Sequence, residues 1–196
     1  MAGNQIRAQA ADGSWLKMEY DYANRLSAIR RDSDNAYLES FHYSPSGNRI
    51  MATDHVNNLK TFRADAGGTN ISEYVEYNWL QLTWTKSYVY LGDSRLSTIS
   101  NNNGSEYIEF NHPDRLGTRT ITNQQSGTNS EQATLPFGTA LNAESTVSNN
   151  RNRFTSYDRS DRTGLDYAVN RTYDSKQGRF TQVDPIGIAA SPLNSR

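Results

Sequence analysis

The chain of 196 residues carries 20 Lys and Arg against 21 Asp and Glu, so a formal net charge of −1 provides no overall field toward nucleic acid or an anionic membrane. Hydrophobic residues are 35%, below the roughly 45–50% of ordinary globular chains, and Asn, Ser and Thr number 20, 21 and 17; this suits a turn-rich β protein better than a helical bundle. Cysteine is absent, which excludes disulfides, thiolate catalysis and Cys-zinc sites while leaving the compartment open.

In chain order, residues 1–14 read as an N-terminal tail. Met1-Ala2-Gly3-Asn4-Gln5 lacks the basic and apolar regions of a signal peptide, and no apolar run reaches the roughly 18 residues of a membrane span. Period-two alternation then recurs in short runs: Met18, Tyr20, Tyr22; Tyr37, Phe41, Tyr43; Val75, Tyr77, Trp79; Leu82, Trp84; and Tyr88, Tyr90. That period marks half-buried antiparallel strands. Turn clusters separate them at Ala66-Gly67-Gly68, Leu91-Gly92-Asp93-Ser94 and Asn101-Asn102-Asn103-Gly104, the last suited to a type I′ hairpin turn. Residues 15–121 therefore read as a β-meander, 122–150 as a polar loop interrupted by Pro136-Phe137-Gly138, 151–188 as a separate motif block, and 189–196 as a C-terminal tail. Sixteen of the twenty cations are Arg and there are 12 Tyr and 3 Trp, which predicts Tyr/Arg ladders on the sheet.

Two segments repeat one unit. Tyr20-Asp21-Tyr22-Ala23-Asn24-Arg25-Leu26 and Tyr43-Ser44-Pro45-Ser46-Gly47-Asn48-Arg49-Ile50 share a Tyr, a short turn, then Asn-Arg and an aliphatic residue. Each predicts a strand ending in Tyr, a turn placing Asn24 or Gly47 at positive φ, and a return strand. One hairpin cannot bury its own face, so neighbours must stack.

These units resemble the tyrosine-aspartate repeats of the bacterial Rhs family, relatives of the teneurins. Phe110-Asn111-His112-Pro113-Asp114-Arg115-Leu116-Gly117-Thr118-Arg119 is similar to a His-x-Asp-x-Leu-Gly-Ser-x-Arg element of that family. The ordered series Arg153-Phe154-Thr155-Ser156-Tyr157, Thr163-Gly164-Leu165-Asp166-Tyr167, Arg171-Thr172-Tyr173-Asp174, Gly178-Arg179-Phe180-Thr181 and Asp184-Pro185-Ile186-Gly187 resembles the Rhs repeat-associated core. The resemblance implies an all-β fold of antiparallel hairpins forming a curved sheet, a small barrel or a partial shell. It also implies a bacterial, secreted or cell-surface setting and a scaffold that in longer relatives encloses a C-terminal toxin. In those relatives an aspartyl dyad releases the toxin, and Asp184 matches the first aspartate. Ile188 stands where Leu is usual, and the sequence ends at Arg196 before a second Asp-Pro element. A dyad needs two carboxylates sharing one proton, so self-cleavage by that route is not expected.

Other constellations weigh less. Gly92-Asp93-Ser94 could carry an esterase nucleophile, but it also fits a hairpin turn, and no Gly-x-Ser-x-Gly elbow is present. Among His42, His55 and His112, the last lies nearest in sequence to Asp114, Arg115 and Arg119. Interleaved Arg and Asp after residue 150 predict cross-strand ion pairs rather than a polyanion surface. The sequons at Asn70, Asn103 and Asn170 are read as incidental. No spacing marks a metal site and no cofactor is implied.

The expected function is a structural, encapsulating or binding module. Its partner would be a glycan or a protein, or another copy through exposed β edges, with Tyr88, Tyr90, Arg95, Asp114 and Arg115 as binding residues. The alternative is a small polysaccharide lyase or hydrolase using a Tyr/His/Arg cluster, with His112, Asp184 and Arg119 as its catalytic candidates.

Overall fold

The computed structural model describes residues 3–10, 12–78, 81–141, 151–152 and 154–184. Trp79, Arg153, the Pro185-Ile186-Gly187 end of the last motif, Ile188, residues 142–150 of the polar stretch and the 189–196 tail lie outside them, as does the side chain of Arg119.

Every regular element among the described residues is a strand. Twelve form one antiparallel meander in which each strand pairs with the next: β1 (Arg7–Gln9), β2 (Trp15–Tyr20), β3 (Leu26–Arg31), β4 (Tyr37–Tyr43), β5 (Arg49–Asp54), β6 (Leu59–Ala66), β7 (Thr69–Tyr77), β8 (Thr83–Leu91), β9 (Ser94–Asn102), β10 (Ser105–Asp114), β11 (Gly117–Asn123) and β12 (Asn129–Glu131). No β1–β12 pair closes the sheet, so the small-barrel option does not hold. β1 lies inside the stretch read as a tail and β12 inside the stretch read as a loop. Each has only three residues, too few for a visible alternation. Residues 82–90 belong to one strand and its approach, not two, and Tyr22 sits fully exposed in the β2–β3 turn rather than on a strand.

The turns follow local chemistry. Asn103 and Gly104 take φ of 52° and 87°, as a type I′ turn demands, and Asn24 and Gly47 take 65° and 94° at matching places of the two repeats. In both repeats the Tyr hydroxyl donates to a backbone carbonyl, Tyr20 to Gln5 at 2.7 Å and Tyr43 to Leu26 at 2.7 Å. The repeat thereby ties each hairpin to an earlier part of the chain.

Register divides one face of the meander into two halves. Over β1–β4 it is apolar: Ala8, Leu16, Met18, Leu26, Ile29, Leu38 and Phe41 form the core together with Leu165 from the C-terminal block. Burying a side chain such as Leu16, 1% exposed, contributes about 1.5–3 kcal/mol. Farther along, the in-register row is charged, with Arg63 opposite Glu73 and Glu73 opposite Lys86.

The C-terminal block covers this face. Its four short strands, β13 (Asp158–Arg159), β14 (Asp166–Ala168), β15 (Arg171–Asp174) and β16 (Arg179–Phe180), make a second antiparallel sheet. Phe154, Tyr157, Tyr173 and Phe180 cluster within it, with ring centroids 5.3–6.4 Å apart. Bonds to the meander run from one end to the other: Gln5 N donates to Thr181 O at 2.8 Å, Ser160 Oγ to Glu39 at 2.9 Å, and Thr155 N to Leu116 O at 2.6 Å. The interleaved Arg and Asp do pair, as Arg159 with its cross-strand neighbour Asp166 at 2.7 Å shows.

Candidate functional site

Where the charged half of the meander meets residues 151–169, Asp158 accepts from three guanidiniums. Arg49 Nη2 lies 2.9 Å from Oδ2, Arg63 Nη2 contacts the same oxygen, and Arg151 Nε lies 3.2 Å from Oδ1. Arg151 also reaches Glu73 at 3.2 Å, and Arg63 Nε lies 3.5 Å from Glu73. The lattice is buried, with the Arg63 and Glu73 side chains each 6% exposed. Two strands of the meander place Arg63 and Glu73 opposite each other, and β13 delivers Asp158 from above.

Electrostatics keep every member charged. Burial alone would raise Asp158, but Arg151, Arg63 and Arg49 outweigh it and hold its carboxyl well below the usual range. Glu73 is lowered in the same way, by Arg151 and Arg63 against burial. Asp158 holds Arg151 above its ordinary value, whereas burial, with Arg63 alongside, brings Arg49 down to about 10. The Arg49 guanidinium also stacks 3.9 Å over the Tyr167 ring, and its backbone N–H donates to the Tyr167 hydroxyl at 2.8 Å.

Beside the lattice is a cavity of about 310 Å³, lined by Arg49, Arg63, Glu73 and Asp158, by hairpin-end residues such as Asp65, Asn70 and Asp93, and by residues 155–157. Two predicted binding residues, Tyr90 and Arg95, line it: Arg95 stacks 3.9 Å over Tyr88 and donates to the Tyr90 hydroxyl at 3.1 Å and to Asn152 Oδ1 at 2.5 Å. Burial raises the Tyr88 phenol.

The other candidates do not join them. His112 lies exposed on β10, its Nε2 2.9 Å from Thr122 Oγ1. Asp114 accepts from Leu116 N at 2.7 Å, a turn-forming bond, and Arg115 is exposed in that turn. Asp184 pairs with Arg171 at 3.2 Å. Neither His112 nor Asp184 lines the cavity, and the same holds for His42 and His55. Arg63, Glu73 and Asp158 escaped the sequence reading of the site. Their only signal is that charges occupy inward phases of strands, where apolar residues are the rule. Among the described residues no group of His, Asp and Glu could hold a metal ion, and no helix is long and apolar enough to cross a membrane.

No family model matches the chain. The tRNA3(Ser)-specific nuclease WapA of Bacillus spizizenii is 28% identical to it over 180 residues, which are 90% of this chain and 7% of that protein. Among solved structures, the Photorhabdus luminescens Tc holotoxin pore matches with a TM-score of 0.62 at 16% identity over 88% of this chain. A complex of TcdB2, TccC3 and Cdc42 matches with a TM-score of 0.62 at 16% identity over 87%. In both cases the chain spans 9% of the matched chain. Its structural neighbours are thus toxin-complex proteins, and what it shares with them is the fold.

Proposed function

We propose that the chain is a structural module, a section of the wall of an Rhs-type β-shell that encloses a second polypeptide. The observation that carries this reading is the unclosed twelve-stranded sequential meander, a fold it shares with toxin-complex structures along most of its length. Such a wall needs long antiparallel ribbons, each strand bonded to the next, rather than a closed core. The lattice around Asp158 supports the same reading: its charged groups are spent on one another, holding the C-terminal block across the sheet. The activity in the name of WapA belongs to a protein of which this chain matches 7%, and is not assigned here. Asp184, paired with Arg171, has a structural part on this reading, with no self-cleavage within residues 1–196.

Electron microscopy of the natural gene product that carries this chain, combined with limited proteolysis, tests the proposal. The expected result is a hollow particle with this meander in its wall and a protease-protected interior. A meander folded apart from any hollow particle, or turnover of a polysaccharide by the purified chain that is lost in one of the variants His42→Ala, His55→Ala and His112→Ala, would overturn it.

A further inference from the structure

We infer that the face of the meander turned away from the C-terminal block is an interface between two copies of this chain, packed sheet on sheet about a two-fold axis; the assignment does not rest on the wall reading. Arg63 and Glu73 turn toward the block, so their neighbours Phe62 and Tyr74 turn the other way. Register then carries an apolar row across β5 to β8, formed by Met51, Phe62, Tyr74 and Trp84. On β8 to β10 the same face continues with Ile99 opposite Ile108, and with Val89 and Phe110 on either side of Ser97. Val89 and Phe110 are 43% and 42% exposed. The described residues form two sheets, and the second lies on the opposite face. Monomers rarely leave an apolar patch of more than a few hundred Å² in water, and larger ones mark interaction sites.

Polar groups on this face already have partners within the chain. Trp84 Nε1 donates to Ser87 Oγ at 2.9 Å, and Ser72 Oγ donates to Lys86 O at 2.9 Å. Covering them leaves each donor with its acceptor, so burial does not cost a hydrogen bond. Charge enters as the Lys60 and Glu76 pair, 3.0 Å apart, which is neutral as a unit.

A second copy is the partner that fits. Six strands about 4.8 Å apart, most of them eight to ten residues long at about 3.4 Å each, span about 700–800 Å², close to the roughly 800 Å² that one side of a standard interface buries. An acidic or basic partner would find no opposite charge in the apolar row, whereas a copy related by a two-fold axis brings the same uncharged row to meet it. Sheet faces pack in this way with the side chains of the two faces interdigitating.

Light scattering on the full chain eluting from a size-exclusion column, loaded at about 1 to 500 µM, tests this. The expected result is a mass rising with concentration from 22.1 kDa toward twice that value, with a Kd of about 1–100 µM. Phe110→Glu and Val89→Lys, both at exposed positions and each checked for an unchanged thermal melt, should weaken association about tenfold or more, because a two-fold contact places each new charge in the interface twice. Gln9→Lys, at an exposed position of the edge strand β1, should leave it unchanged. A monomer at every concentration, the outcome if a membrane or another protein took this face, would overturn the assignment, as would association that survives both face variants or that Gln9→Lys abolishes.

Discussion

Asp158 holds three guanidiniums, and two of them, Arg49 and Arg63, are on side chains no more than 10% exposed, with little water to turn to. Asp158→Asn keeps the shape but removes the charge, leaving buried arginines uncompensated. The expected loss is about 3–5 kcal/mol of stability, read from urea unfolding. The pH dependence has a definite sign. Asp158 and Glu73 are lowered in the folded protein, so their contribution is full above the ordinary carboxylate range near pH 4 and is lost as pH falls through their folded values. Glu39 works in the opposite direction: burial raises it despite the Ser160 and Thr163 hydroxyls, so its cost applies at neutral pH and disappears on acidification. The urea midpoint of the parent protein should therefore fall below about pH 4, and Asp158→Asn should show a shallower fall. An identical pH profile in the two proteins would refute the role given to Asp158. At the same junction, Tyr167→Phe strips the acceptor from the Arg49 N–H and should cost about 1–3 kcal/mol, measured in the same way.

At the scale of the hairpins, two glycines separate what is local from what is not. Gly104, at φ 87°, has open space where a Cβ would stand, so Gly104→Ala should cost only the strain of the turn, about 1–2 kcal/mol. Gly138, at φ 92°, would place a Cβ 2.6 Å from Phe154, so Gly138→Ala should add an overpacking cost of about 1–3 kcal/mol. Chemical denaturation of both variants checks the order, and equal losses would show that Phe154 yields freely. The first effect was legible beforehand: Asn103-Gly104 between alternating runs specifies its own turn. The second was not, because Pro136-Phe137-Gly138 meets Phe154 only after the chain has folded back. The same limit explains the strands missed at Arg7–Gln9 and Asn129–Glu131, whose three residues gain their order from the neighbours they pair with.

Across the whole molecule, the two sheets depend on each other. β13 to β16 span two to four residues each and cannot stand alone, while the meander without them would expose Leu16, Met18 and Ile29 and deprive Arg49 and Arg63 of Asp158. A chain ending at residue 150 is therefore expected to bind a hydrophobic dye and unfold without a sharp transition, and a peptide of residues 151–184 added in trans should restore cooperativity. A truncated chain that already unfolds cooperatively would mean that the meander has a sufficient core of its own.

The all-β class, the hairpin turns and the pairing of Arg with Asp after residue 150 were legible in the amino-acid order alone, because strand period, turn chemistry and neighbouring hairpin positions are local properties. That the sheet stays open, that residues 151–184 lie across it, and that Arg49, Arg63, Glu73 and Asp158 meet beside a cavity while His112 and Asp184 do not, emerged in the folded chain alone. Those contacts join positions about a hundred residues apart in the chain, as Arg49 and Asp158 are. Alternation shows which residues turn inward, but charge and burial choose their partners only once the second sheet has closed over the first.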